Sequence, residues 1–121
     1  MDASIRSGLE KTGLRTARRH LLLCVGPDCC SPEAGEAVWA HIKQRLRDTA
    51  LPAMRTKAAC LRVCRGGPWL VVYPEGVWYG SVDAGRFDRI LREHLIGGTP
   101  VREWVAARGC LDGCGWIERE G

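Results

Sequence analysis

The amino-acid sequence predicts one α/β domain, in which a mixed sheet of four to five strands packs against flanking helices. The 121 residues suffice for one hydrophobic core but not for two. The apolar pattern changes along the chain in the order strand, helix, strand, hairpin, helix. A helical crossover makes the first two strands parallel, whereas a hairpin adds antiparallel strands. The predicted sheet is therefore mixed.

The first strand and helix follow from a short apolar run and a capped amphipathic segment. Residues 20–25 are apolar enough for a buried strand, and residues 26–28 have the composition of a turn. Ser31 is a candidate N-cap, and Pro32 suits the first helical position. Four apolar residues then keep helical spacing: Val38, Trp39, Ile42 and Leu46. The helix is predicted to end near Asp48.

The second half of the chain contains a hairpin. Strands are predicted at residues 54–59, 68–73 and 77–82. A tight turn at residues 74–76 joins the last two strands. Asp83 is a candidate cap for a second long helix, which ends at the glycine pair 97–98, and residues 100–107 suggest a short third helix. This order of elements fits a thioredoxin-like α/β domain.

The two ends of the chain differ from this domain in composition. Residues 1–18 are basic, and Gly8 and Gly13 are expected to interrupt any helix, so a weakly structured extension is predicted. Residues 19–107 form the domain, and residues 108–121 form a C-terminal tail with the pair Cys110 and Cys114. The spacing of that pair is compatible with a disulfide, a second metal half-site, a redox relay or two ordinary thiols.

Charge and composition exclude several classes of function. The net charge is +4, but no basic stripe with interleaved aromatics and no nucleic-acid motif is present. No apolar run approaches the roughly 20 residues that cross a bilayer, and no export signal is visible. A cytoplasmic protein without a membrane or nucleic-acid partner is therefore expected. The sequence has no nucleophile motif, paired carboxylates or phosphate loop, so an enzyme is not expected.

Seven cysteines in a reducing compartment favour a metal site or redox thiols over a disulfide framework. Five of them fall at strand ends or in loops that can share one edge of the sheet: Cys24, Cys29, Cys30, Cys60 and Cys64. The glycines at 66 and 67 allow backbone to approach the sulfurs closely. An iron–sulfur cluster and a zinc ion both take four thiolates, so the geometry leaves both open.

The cysteine order, joined to the hairpin sequence of residues 71–80, resembles the thioredoxin-like 2Fe–2S ferredoxins. It is similar also to the cluster-binding small subunit of NADH dehydrogenases and hydrogenases. The resemblance covers about residues 20–105 and favours iron over zinc. It implies one 2Fe–2S cluster, a homodimer and one-electron transfer to a redox protein partner. The alternative function is that of a 2Fe–2S subunit within a larger oxidoreductase.

The resemblance implies Cys24, Cys60 and Cys64 as cluster ligands and leaves the fourth ligand open. Loop length counted from Cys24 selects Cys29. Counting back from the apolar positions of the helix selects Cys30, which we prefer because core packing fixes a helix register more tightly than a loop length.

Two further hypotheses concern the charged and the aromatic residues near these cysteines. Arg62 and Arg65 flank the second cysteine pair, where a cation would favour the reduced, more negative cluster. The alternative is that both arginines are solvated loop residues. Trp69, Trp78 and Tyr79 are predicted to pack in the core or a dimer interface.

Overall fold

A computed structural model describes residues 1–113 and 115–118 and contains a six-stranded sheet. The strands are β1 (Arg19–Cys24), β2 (Ala53–Ala58), β3 (Leu70–Tyr73), β4 (Val77–Tyr79), β5 (Val105–Gly109) and β6 (Trp116–Glu118). Their order in the sheet is β2-β1-β3-β4-β5-β6. The β1–β2 pair is parallel and all other pairs are antiparallel. The predicted mixed α/β sheet is confirmed, with one strand more than the upper expectation.

The helices are α1 (Ala3–Lys11), α2 (Pro32–Thr49) and α3 (Ala84–Ile90), and α3 continues as a π-helix over Leu91–Ile96. The predicted caps are present: the Ser31 hydroxyl accepts the Ala34 N–H at 3.1 Å, and the Asp83 carboxylate accepts the Arg86 N–H at 2.8 Å. None of the helices in the described part of the chain is long and apolar enough to cross a membrane.

The hydrophobic core lies between one face of the sheet and the pair α2 and α3. The sheet contributes Leu21, Leu23, Leu70, Val72, Val77 and Tyr79, and the helices contribute Val38, Ile42, Leu46, Phe87 and Ile90. Each of these side chains is at most 5% exposed. At about 1.5–3 kcal/mol for each fully buried large apolar side chain, this layer is the main source of stability.

The second face of the sheet carries an apolar row in register across four strands. Leu22 pairs with Val71, Val71 with Trp78, and Trp78 with Ala107. The buried residues of α2 and α3 belong to the core on the first face, and α1 buries no residue. Of the helices in residues 1–113 and 115–118, none therefore buries its side chains on this second face.

The predicted helix over residues 100–107 is wrong. Only Arg102–Trp104 forms a helical turn, of the 3-10 type, and Val105–Gly109 is strand β5, which pairs with β4. The free edge of β4 explains the difference, because an unpaired edge leaves N–H and C=O groups that a neighbouring strand satisfies. Strand β5 crosses the predicted end of the domain at residue 107, and the division of the chain into three parts stays a prediction.

The prediction that glycines prevent a helix in residues 1–18 is also wrong. Helix α1 runs through Gly8, where a glycine costs about 1 kcal/mol relative to alanine. The Asp2 carboxylate caps this helix by accepting the N–H groups of Ser4 and Ile5. Gly13, with a φ of 84°, does lie just beyond the end of α1. Local capping therefore outweighs one weak helix former.

Candidate metal centre

Three of the five expected thiols form one group at the end of β1. Cys24 is the last residue of β1, and Cys29 and Cys30 lie in the turn that precedes α2. The Sγ atoms of Cys29 and Cys30 are 3.7 Å apart, and the Cys24 thiol is in hydrogen-bond contact with both of these thiols. Cys24 and Cys29 are buried, whereas Cys30 is half-buried. The turn thus brings three sulfurs together at the end of β1.

The other two thiols form a pair in the loop of residues 60–67. Cys60 and Cys64 are both exposed and lie within hydrogen-bond contact of each other. Between them, Arg62 has a φ of 71°, and its N–H donates to the Sγ atom of Cys60 at 3.1 Å. This left-handed backbone conformation is uncommon for a residue other than glycine and costs roughly 1–3 kcal/mol of conformational free energy. The surrounding loop therefore imposes it.

Two glycines let the loop lie against the first thiol group. The Gly67 N–H donates to the carbonyl of Cys29 at 2.8 Å. A Cβ atom at position 67 would stand 3.1 Å from the Cys29 Cβ and 2.8 Å from its carbonyl oxygen. Gly66, with a φ of 76°, accepts the Ser81 N–H at 2.8 Å. Only glycine permits this approach, which places the exposed pair beside the buried group.

Trp69 connects both groups, a role that its interpretation as a packing residue missed. Its backbone N–H donates to the Sγ atom of Cys24 at 3.1 Å, and its indole N–H donates to the carbonyl of Arg65 at 2.8 Å. Its ring lies against Gly80, where a Cβ would stand 3.0 Å from the ring. The position of Trp69 directly before β3 and opposite Gly80 is the signal from which this role can be inferred.

The environment of these thiols favours their protonated form. Burial raises the pKa of Cys24 to about 12, and contact with Cys29 acts in the same direction. Burial and the neighbouring Cys29 raise the pKa of Cys30 to about 11. The negative charge of Cys60 raises the pKa of Cys64. Metal binding therefore has to release protons from this group of thiols, because the metal ligand is the thiolate.

The donor set fits a two-iron cluster. Among the described residues, no three His, Cys, Asp or Glu side chains are arranged to hold a single metal ion. The sulfurs are instead divided into a group of three and a pair, and a 2Fe–2S cluster takes four thiolates over two irons. Backbone N–H groups already point at one sulfur in each group, on Cys24 and Cys60. Such donors stabilise sulfur that carries negative charge.

Cys110, of the C-terminal pair, lines a cavity together with Val63 of the cysteine loop. Cys110 is disulfide-bonded, while Cys114 lies outside the described residues. The five free cysteines that the structure describes are those of the two thiol groups. The role of Cys110 and Cys114 stays a prediction.

Comparison with known proteins gives the same assignment by an independent route. The chain is 33% identical over 101 residues to a 2Fe–2S ferredoxin of Aquifex aeolicus, with 75% of this chain and 91% of that protein covered. It is 41% identical over 75 residues to a 2Fe–2S ferredoxin of Clostridium pasteurianum, with 61% of this chain and 74% of that protein covered. No family model matches the chain. The chain belongs to the thioredoxin-like 2Fe–2S ferredoxins.

The ferredoxin fold is shared as well as the sequence. The solved thioredoxin-like 2Fe–2S ferredoxin of Aquifex aeolicus superimposes with a TM-score of 0.70 at 29% identity. That match covers 83% of this chain and 100% of the solved chain. The thioredoxin-like fold expected for this ferredoxin is therefore confirmed.

Proposed function

We propose that this ferredoxin carries single electrons between protein partners by means of one 2Fe–2S cluster on Cys24, Cys30, Cys60 and Cys64. The observation that carries the proposal is the meeting of two free thiol groups at one end of the sheet, in a chain related to 2Fe–2S ferredoxins. When bound, the cluster supplies a centre that gains and loses one electron. No substrate of the protein itself is required.

The residues around the thiols would stabilise the charge of that centre and hold its ligands in place. The N–H groups of Arg62 and Trp69 donate to cysteine sulfurs and favour added negative charge there. The glycine contacts hold the loop pair beside Cys29, which limits movement of the ligands when the charge changes. The exposure of Cys60 and Cys64 leaves this side of the site open to a partner.

Different observations support the two candidates for the fourth ligand. The Gly35 N–H, at the first turn of α2, donates to the Ser31 carbonyl at 3.0 Å and also opposes, to a small extent, the rise in the pKa of Cys30. Cys29 contacts Cys24 and Cys30, and its charge also acts on Cys64. We retain Cys30, from the helix register, as the proposed ligand, with Cys29 as its alternate.

Single Cys29→Ser and Cys30→Ser variants test the ligand set. Anaerobic purification, followed by iron and sulfide counts, visible absorption and EPR of the dithionite-reduced protein, should show one cluster per wild-type chain. Cys30→Ser is expected to change the visible and EPR spectra, while Cys29→Ser retains both. The reverse pattern would assign Cys29. A folded wild-type protein that is colourless and free of iron after anaerobic purification would refute the proposed function.

We also propose a homodimer, supported by the apolar second face of the sheet. Trp78 lies on this face, and its ring packs edge-to-face against Trp69, with 6.4 Å between the centroids. Analytical ultracentrifugation should show a dimer of the wild type and a monomer of Trp78→Lys. A Lys43→Glu variant, on the surface of α2, is the control that should leave the dimer intact. Monomeric wild type at micromolar concentration would contradict the dimer.

The two candidate roles, a free carrier and a subunit of a larger oxidoreductase, lead to different experimental results. We propose the free carrier in a reducing cytoplasm; the five free thiols support this compartment, whereas the disulfide at Cys110 does not. Purified alone, a carrier should pass electrons reversibly and at full rate to a soluble acceptor protein. Co-purification from native cells with a catalytic chain at fixed stoichiometry would instead identify the subunit.

A further inference from the structure

A groove of about 470 Å³ opens beside the cysteine loop, between that loop, α3 and the 3-10 turn. Its lining includes Gly66, Trp69, Ser81, Arg86, Glu103 and Trp104. Gly66 is two residues from Cys64, so the groove ends at the proposed cluster site. A partner bound in this groove would therefore contact the loop that holds two of the proposed ligands.

Two arginines lie over the indole ring of Trp104 but differ in their ionic partners. The guanidinium carbons of Arg86 and Arg89 are each 4.7 Å from the ring centroid. Arg89 is neutralised, because it pairs with Glu93 at 2.6 Å and with Glu103 at 2.7 Å. Arg86 has no ion pair with any carboxylate in residues 1–113 and 115–118.

The acidic groups near Arg86 are already engaged. Asp83 accepts the backbone N–H of Arg86 as the cap of α3. Glu103, which also lines the groove, binds Arg89 through both carboxylate oxygens, at 2.7 Å and 3.2 Å. Among the residues that the structure describes, none pairs with the guanidinium of Arg86 in this groove, and the face of Trp104 holds that group in place.

The cysteine loop extends this positive surface. Arg62 and Arg65 are exposed, and neither makes an ion pair within the part of the chain that the structure describes. Both adjoin the proposed ligands, where they partly offset the negative charge of four thiolates. Arg86 is half-buried and lies across the groove on α3, where, unlike Arg62 and Arg65, it lines the groove itself.

We infer that this groove binds a carboxylate-bearing segment of the redox partner, with Arg86 as the recognition residue. The inference rests on the proposed function, because it names the kind of partner that uses the cluster site. Arginine binds carboxylate through two parallel hydrogen bonds, and its stacking on Trp104 reduces the conformational freedom lost on binding. Docking here places the acidic segment against Gly66, beside the cluster loop.

Fluorescein-labelled hexaglutamate is a suitable probe of this groove on the intact, cluster-loaded protein. Fluorescence anisotropy at about 50 mM salt should show binding that weakens as salt is added. Arg86→Gln should weaken binding at least about fivefold, the equivalent of about 1 kcal/mol, and Arg86→Lys should weaken it less.

Arg47→Gln is the matched control, because it removes the same charge without breaking an ion pair among the described residues. Arg47 lies 15 residues after Pro32 on α2, about 22 Å along the helix axis. Its loss should change hexaglutamate affinity by less than about twofold. Equal weakening by Arg47→Gln and Arg86→Gln would overturn the inference, and so would absence of binding at low salt.

Visible absorption recorded before each titration separates this inference from the proposed function. A protein that has the cluster spectrum but does not bind hexaglutamate refutes the docking site alone. A colourless folded protein refutes the proposed function, whereas anisotropy still reports whether Arg86 binds the acidic peptide.

Discussion

The two ends of the sheet use polar groups in opposite ways. At the cysteine end lie five free thiols, of which two are buried and three are half-buried or exposed, and two of their sulfurs accept backbone N–H groups. At the histidine end, the fully buried His94 joins Tyr79 and Glu75, with ring nitrogens 2.8 Å from the Tyr79 hydroxyl and 2.7 Å from the Glu75 carboxylate. The sulfurs at one end are the proposed cluster ligands, whereas the side chains at the other end are bonded to one another.

The positions of the protons at the histidine end follow from its geometry. The Val101 N–H donates to the Tyr79 oxygen at 3.0 Å, so the Tyr79 O–H is available to donate to Nδ1 of His94. The Nε2–H group of His94 then donates to Glu75, which also accepts from Nε of Arg19 at 2.9 Å. This series of hydrogen bonds joins β1, the β3–β4 turn, β4 and the π-helix through a neutral histidine.

The contrast indicates that fold stability and cluster binding depend on separate sets of side chains, with Tyr79 reaching the histidine network from the last position of β4, where it pairs with Leu70. A hydrogen-bonded network between elements far apart in sequence holds the histidine end together without any cofactor. At the cysteine end, a cluster bound to Cys60 and Cys64 would add contacts to the loop of residues 60–67. Substitutions at one end should therefore leave the property of the other end largely unchanged.

The largest expected effect comes from His94→Leu. This change leaves Glu75 and Tyr79 each without one buried hydrogen-bond partner, so it should lower the free energy of unfolding by about 3 kcal/mol. Urea unfolding followed by circular dichroism measures the loss. The visible spectrum of the cluster in the folded variant should be unchanged.

His41→Leu is the control for this variant. His41 bonds the Asp88 carboxylate at 2.8 Å at the surface, where its side chain is 28% exposed. Its loss should cost less than about 1 kcal/mol. If the His41 and His94 variants lose the same stability, or if His94→Leu bleaches the cluster of the folded protein, the separation of the two ends is wrong.

Acidification should destabilise the protein through the histidine end. Burial lowers the pKa of His94 below 6.5, although Glu75 opposes this shift. Burial alone would raise the pKa of Glu75, but hydrogen bonds from Arg19 and His94 outweigh it and lower the pKa below 4.5. In both cases the unfolded chain takes up its proton first as pH falls, so these contributions to stability are present at neutral pH and are lost in acid.

Urea midpoints measured at pH 7.5, 5.5 and 4.5 check this prediction. The wild type should lose stability at each step below about pH 6.5. The His94→Leu variant, which has no histidine to protonate at this site, should lose less between pH 7.5 and 5.5. An identical pH dependence in the two proteins would show that groups elsewhere cause the acid sensitivity.

The two ends also differ in how far the sequence predicts them. The cysteines follow strand ends and turns, so their meeting at one edge can be inferred from the order of elements alone. His94 and Glu75 are 19 residues apart, and their contact depends on how α3 and its π-helical extension lie on the sheet. Spacing along the chain carries no signal of that packing. Backbone N–H donors to the sulfurs are expected from the sequence, but which residues supply them is not, because backbone direction in a loop depends on tertiary contacts.

The smallest expected effect tests whether charge at the cysteine end tunes the proposed cluster. Arg65 is exposed in the loop, one residue after Cys64, and its carbonyl is held by the Trp69 indole. A nearby cation stabilises the reduced cluster, which carries one more negative charge, so Arg65→Gln should lower the midpoint potential. An exposed charge interaction of about 0.2–1 kcal/mol corresponds to roughly 10–40 mV for one electron.

Potentiometric titration of Arg65→Gln, with Arg47→Gln as the charge-matched control, isolates this local effect. Arg47→Gln should leave the potential unchanged, because screening by salt removes the influence of a charge more than a Debye length of about 10 Å away. A matching shift in both variants would point to net charge and not to position. An unchanged potential in Arg65→Gln would make this arginine a solvated loop residue, and the N–H groups of Arg62 and Trp69 would then be the remaining local means by which the chain favours the reduced cluster.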